Sequence, residues 1–201
     1  MQETLFNYPE YAEVNGKKYK INTDFRVAIK CNNISMQDID IIEKTMAIIY
    51  LLYGEQALND VQNYEELVKK AIYFLHCGDE KVDNEAAANK EPDMDFIQDM
   101  PYIEASFMSD YGIALESTKM HWWKFYRLIS SLSNSELGNC CILNRIRNLR
   151  TMDLNDVKDA KQKRKLKEAK KLFALKKPVK EKTYSQEELA SMEAYHKLVG
   201  D

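Results

Sequence analysis

The chain has 201 residues, 45% hydrophobic and 10% aromatic, with only four Pro and six Gly; this excludes a disordered polymer and disfavours a turn-rich β protein, leaving one mostly helical domain with appended segments. The formal charge of −3 conceals a division, because residues 158–182 carry 12 Lys and Arg against Asp159, Glu168 and Glu181, a net of +9, while residues 1–157 carry a net of −9 and the last 19 residues the remaining −3. Nowhere do about 20 apolar residues run together, and the N-terminus lacks a basic flank and a cleavage site, so neither a membrane span nor a signal peptide is expected.

In chain order, Tyr11-Ala-Glu-Val, Asn15-Gly16 and Lys17-Lys-Tyr-Lys-Ile spell a hairpin, since Asn-Gly accepts the positive φ values of a type I′ turn. Pairing Val14 with Lys17 sets Ala12 opposite Tyr19 on an apolar face and Glu13 opposite Lys18 on the other. Asn22-Thr23-Asp24 supplies caps for a short helix from about residue 25 to 32. Ser35 to Asp38 forms a capping-box variant, after which Ile39, Ile42, Met46, Ile49 and Tyr53 recur at steps of three or four and predict an inward face; Ala47, Ile48, Leu51 and Leu52 make the second half apolar nearly all round.

Asn63 to Glu66 caps another helix, predicted to turn Tyr64, Leu67, Val68, Ala71, Ile72 and Leu75 inward and to end at Gly78. His76-Cys77 has no second pair at a metal-ligand spacing, so no metal is expected there. Residues 79–92 are Asp, Glu, Lys, Asn and Ala with Val82 the one large apolar side chain, and read as an exposed linker. Beyond it Phe96, Met100, Ile103, Phe107 and Tyr111 keep a helical period that Gly112 stops. Asp93, Asp95 and Asp99 are read as solvated carboxylates gathered at a helix start.

The aromatic centre is the run Met120-His-Trp-Trp-Lys-Phe-Tyr-Arg. A helix from about Thr118 places Trp122, Phe125, Tyr126 and Ile129 inward and turns Trp123, Arg127 and Ser130 out, with His121 as a packed or capping imidazole. Together with Ile42, Met46 and Ile49 these inward residues are the candidate core. A capping box at Ser133 to Glu136 predicts a helix with Leu137, Cys140, Cys141, Ile142 and Ile146 on its apolar side, and the four cysteines read as reduced thiols. Asn155 is the expected cap of a basic helix running to about Phe173, with Val157, Ala160, Leu166, Ala169, Leu172 and Phe173 as a thin apolar stripe. Past Pro178, Ser185 to Glu188 caps a short amphipathic helix in a flexible tail. The resulting division is a helical body with its hairpin over residues 1–154, a basic helix over 155–175 and a tail over 176–201.

Four segments carry a family resemblance: Glu13-Val-Asn-Gly-Lys-Lys-Tyr-Lys-Ile-Asn-Thr-Asp-Phe-Arg, Cys77-Gly78 followed by Asp95-Phe96 and Asp99, His121-Trp-Trp-Lys-Phe, and Arg150-Thr-Met-Asp-Leu. Over roughly residues 8 to 173 the chain resembles the phage gene-product-fifteen family, encoded among the tail genes of temperate phages. The resemblance implies a tail assembly chaperone in the host bacterial cytoplasm, with tape-measure and tail-tube proteins as partners, and it brings no catalytic residues.

No phosphate-binding Gly loop, Ser nucleophile elbow or His/Glu metal helix stands in the sequence, so no enzymatic activity and no cofactor are expected. Lys161, Lys163, Arg164, Lys165, Lys167, Lys170 and Lys171 could neutralise phosphates, which makes nucleic-acid binding an alternative to a protein-binding assembly factor, as is a minor structural tail component. The candidate partner-binding residues are Lys163, Arg164, Lys167, Lys170, Lys171 and the outward Trp123, serving a client protein or self-association.

Overall fold

Local chemistry alone decides the first element. In the computed structural model, which describes residues 8–79, 92–134 and 140–176, β1 (Tyr11–Val14) and β2 (Lys17–Lys20) pair antiparallel with Ala12 opposite Tyr19 and Glu13 opposite Lys18. Asn15 and Gly16 take φ of 51° and 78°, the two left-handed positions that the tight turn demands. Ala12, Val14 and Tyr19 are buried, and the turn is tied to a distant loop: Lys17 pairs with Asp60, whose carboxylate also accepts from the Tyr19 hydroxyl at 2.6 Å, while the Asn15 amide donates to Asn63 at 2.8 Å. Lys17 first, then Tyr19 and Asn63, hold the Asp60 carboxyl well below the usual carboxylate range.

The remaining regular elements among the described residues are helical: α1 (Phe25–Met36), α2 (Ile41–Tyr53), the one-turn α3 (Glu55–Leu58), which the sequence reading did not include, α4 (Tyr64–Leu75), α5 (Met100–Tyr111), α6 (Trp122–Ser130), α7 (Ile142–Thr151) and α8 (Ala160–Leu172), with a 3-10 turn at Val61–Asn63 before α4. Asp24 caps α1 by accepting from the Arg26 amide at 2.9 Å. α1 runs a turn further than expected, so Ser35 lies inside it and donates to the Asn32 carbonyl; Asp40, not Ser35, caps α2. α6 starts at Trp122 rather than Thr118 because the Arg26 guanidinium holds the carbonyls of Leu115, Glu116 and Thr118 in the preceding loop. The predicted capping box reaches into residues 135–139, outside the described residues; α7 is instead capped by Cys141, whose Sγ accepts from the Asn144 amide. The predicted tail helix also lies outside them.

Phe125 is the centre of the core, stacked between Phe25 at 4.6 Å and Phe107 at 5.2 Å, with Trp122 beside it at 5.8 Å. Ile49, Leu52, Leu67, Ile103 and Ile129 are buried around this stack. Three of the expected core residues are elsewhere: Ile42 is 65% exposed, Met46 43% and Tyr126 43%. Helical period correctly aligns Ile42 and Met46 with Ile49, but the first turns of α2 carry no layer over that face among the described residues. Tyr126 leans on the edge of Trp122, with ring centroids 5.5 Å apart, and leaves part of its ring outside. On α4, Phe74 is buried while the expected Ile72 is exposed.

Candidate partner-binding surfaces

A helix leaves its last carbonyls without intrahelical donors, and at the end of α4 two adjacent indoles supply donors. Trp122 Nε1 donates to Leu75 O at 2.9 Å and Trp123 Nε1 to Phe74 O at 2.8 Å. This pairing corrects the expectation that Trp123 faces outward. Trp123 is buried, stacked near Phe74 and edge-on to Tyr73 and Tyr8, because a tryptophan that caps a neighbouring helix must follow its indole N–H inward. Past α4, Cys77 and Gly78 take positive φ, and a Cβ on Gly78 would come within 3.0 Å of the Trp123 ring, so glycine is needed there for close approach as well as for its backbone. An open cleft of about 490 Å³ remains over Trp123, walled by Tyr8, Pro9, Glu10, Tyr11 and Tyr73.

His121 stacks on Tyr8, one wall of this cleft, and caps α6. Nδ1 accepts from the Trp123 amide at 3.0 Å, which leaves the proton on Nε2 to be donated to Pro9 O at 3.1 Å. Burial pushes its pKa below the ordinary 6.5, against weaker raising effects of Pro9 O and Glu10. The unfolded chain therefore takes up this proton first, so the stability contributed by the neutral ring is full above pH 6.5 and falls as pH drops through 6.5 toward the lowered value. Thermal melts at pH 7.5 and 5.5 should show a larger loss in the wild type than in His121→Asn, since Asn caps without titrating. Equal losses would mean that the ring is not the titrating cap. Burial also pushes the Cys31 and Cys77 thiols up to about 12, and all four described cysteines are free.

The acidic run before α5 is not the solvated cluster expected. Asp95 caps its own turn by accepting from the amides of Ile97 and Gln98, Asp93 pairs with Arg147 at 2.9 Å, and Asp99 is 1% exposed in a two-pronged bridge to Arg150, both bonds 2.7 Å. Arg150 also donates to the carbonyls of Asp93 and Phe173. Sequence reasoning placed no weight on this arginine. The usable signal was that Asp99 and Arg150 each stand inside a segment that carries the family resemblance.

Through Phe173 O the same arginine fastens the end of the basic helix. Phe173 packs edge-on to Tyr102, and Gln98 exchanges two hydrogen bonds with the Lys176 backbone. α8 starts at Ala160, capped by Asp159, because residues 154–156 form a separate 3-10 turn set by Asp153. Leu166, Ala169 and Phe173 are half-buried, while Leu172 is 77% exposed. Of the five candidate cations, Lys163, Lys167 and Lys171 are exposed and pair with no carboxylate among the described residues, Arg164 reaches Glu168 at 3.8 Å, and Lys170 donates to Met152 O. The structure does not bring Trp123 into this surface: it belongs to the hairpin–α4 cleft.

Among the described residues no group of three or more His, Cys, Asp or Glu is placed to hold a metal ion, and no helix is long and apolar enough to cross a membrane. The fold so defined is that of a mostly helical protein with an N-terminal hairpin. The profile of the Bacteriophage Gp15 protein family matches residues 7–175, hairpin through α8, and the chain belongs to that family of bacteriophage proteins. No curated protein and no solved structure matches it.

Proposed function

We propose that this phage protein is a non-enzymatic tail assembly factor, a chaperone that engages tape-measure or tail-tube protein in the host cytoplasm while the tail is built. The observation that carries this reading is α8: one end is fastened to the body by Arg150 and Gln98, and its Lys163, Lys167 and Lys171 are exposed with no carboxylate partner among the described residues, on a chain whose first 157 residues are net acidic. A cationic helix held in place beside an acidic body presents both signs of charge to a long client, or to a second copy, and such contacts form quickly and exchange easily. Family membership over residues 7–175 supports a phage role. The groups nearest to chemistry are already engaged, since both His121 nitrogens serve the backbone and burial raises the Cys31 and Cys77 thiols.

The exposed lysine row also favours a second reading, nucleic-acid binding, and one paired experiment separates them. Changing Lys163, Arg164, Lys167 and Lys171 together to Glu should abolish co-purification with the tape-measure and tail-tube proteins while leaving the melting temperature nearly unchanged, because none of these side chains pairs with the body. A parallel DNA titration should show only weak binding. Sub-micromolar duplex affinity that falls steeply with salt, with neither tail protein retained, would replace the assembly reading with the nucleic-acid one.

A further inference from the structure

The apolar side chains expected in the core but found outside it lie together. Ile42, Met46 and Tyr50 are all exposed and follow one another at steps of four, so they form a single stripe along α2, and Ile39, also exposed, stands just before the Asp40 cap of the same helix. Met36 extends it from the end of α1, where the Ser35 carbonyl accepts from Lys44 Nζ at 3.1 Å and holds the two helices together. Scattered exposed apolar residues need no explanation, but a continuous row does.

The charges around the row select what can cover it. Asp38, Asp40 and Glu43 are exposed and make no ion pair among the described residues, and Lys44, the one cation between residues 36 and 54, is engaged with Ser35. Glu43 stands in the first turn of α2, next to Ile42 and one turn before Met46, beside the stripe. A second copy docking face to face would bring a second set of carboxylates to the same surface and no free cation to meet them. The last 19 residues of the chain, net −3, carry the same sign. The cationic α8 of a neighbouring copy has the right charge but turns Leu166, Ala169 and Phe173 toward its own body and offers Leu172 alone.

We infer that the α2 stripe is a docking face for an amphipathic helix of a partner protein, one with an apolar face and lysines or arginines along its flanks. Helix-in-groove recognition of this kind takes its anchors from residues spaced by three and four and its orientation from charges at the rim. The inference rests on the assembly-factor reading only for the origin of the helix.

The test uses the full chain and a synthetic Leu/Lys peptide patterned at the helical period, with a Leu/Glu peptide of the same pattern and a Leu/Lys peptide of scrambled order as controls. Fluorescence anisotropy should show binding of the patterned Leu/Lys peptide alone. Affinity should weaken about tenfold or more in Ile42→Ser/Met46→Ser, and also in Glu43→Lys, with melting temperatures nearly unchanged because all three side chains are exposed. Equal binding of the scrambled peptide, or affinity that neither variant alters, would overturn the docking face. Sedimentation showing a wild-type dimer that Ile42→Ser/Met46→Ser dissociates would give the stripe to a second copy instead. If wild type and Ile42→Ser/Met46→Ser retain the tail proteins equally, the assembly reading stands and the docking face falls. If the patterned peptide binds as described but no tail protein is retained, the docking face stands and the assembly reading falls.

Discussion

Arg150→Ala is expected to destabilise the protein by about 3–5 kcal/mol, because it leaves the Asp99 carboxylate buried without its counter-charge. Both partners are inside, with side-chain exposures of 11% for Arg150 and 1% for Asp99, so water does not replace the lost bonds as it would at a surface pair. Removing both charges together, as Asp99→Leu/Arg150→Leu, should cost less than removing Arg150 alone, since the desolvation of each ion then disappears along with the attraction between them. Urea titrations of the three proteins give the comparison. A loss below about 1 kcal/mol for Arg150→Ala, the scale of an exposed pair, would show that the bridge is not the buried clamp described. The same substitution frees the Phe173 carbonyl, so trypsin should cut the lysine-rich α8 faster in native Arg150→Ala than in the wild type.

Trp122→Ala and Trp123→Ala should each cost about 3–5 kcal/mol, the range for deleting a large buried aromatic side chain. Each substitution also removes a donor from an α4 carbonyl, and Trp123→Phe isolates that part: it keeps an aromatic ring against Phe74 and Tyr73 but gives up the bond to Phe74 O. A loss of about 1–3 kcal/mol is expected for it. Phe74 O also accepts from the Cys77 amide, which favours the lower part of that range. If Trp123→Ala costs less than about 1 kcal/mol while Trp122→Ala costs the full amount, only the first indole holds α4 in place.

How much of this could be read in the sequence depended on the span over which each feature is decided. The hairpin register is decided within ten residues by one dipeptide and the alternation around it, and every pair was legible. Helical period likewise says which side chains share a face, and it grouped Ile42, Met46 and Ile49 correctly. It does not say where a neighbouring layer ends, and that is why the first two proved exposed. Trp123 failed for a related reason: α6 is gripped from two sides, by α4 and by the Phe25–Phe107 side, so a single inward face is the wrong picture for it. Asp99 and Arg150 are 51 residues apart, and no local window joins a carboxylate to a guanidinium over that distance. The acidic run was therefore read by its local chemistry, which holds for Asp95 and fails for Asp99.

The strand-like contacts between the α1 cap and the start of α6 bear on how the chain comes off the ribosome. The Phe25 amide donates to Met120 O, the Trp122 amide donates to Thr23 O, and the Phe25 ring stacks on Phe125. Every one of these partners is made roughly a hundred residues after Phe25. At about 5–20 residues per second the hairpin and α1 wait on the order of 5–20 s with Phe25 uncovered. Through that interval the nascent chain can form its turns and helices and set α1 against α2, yet the Phe25 side of its core stays open. Trigger-factor-like holdases would find their substrate in this window, and truncated chains ending before Trp122 should aggregate where the full chain does not.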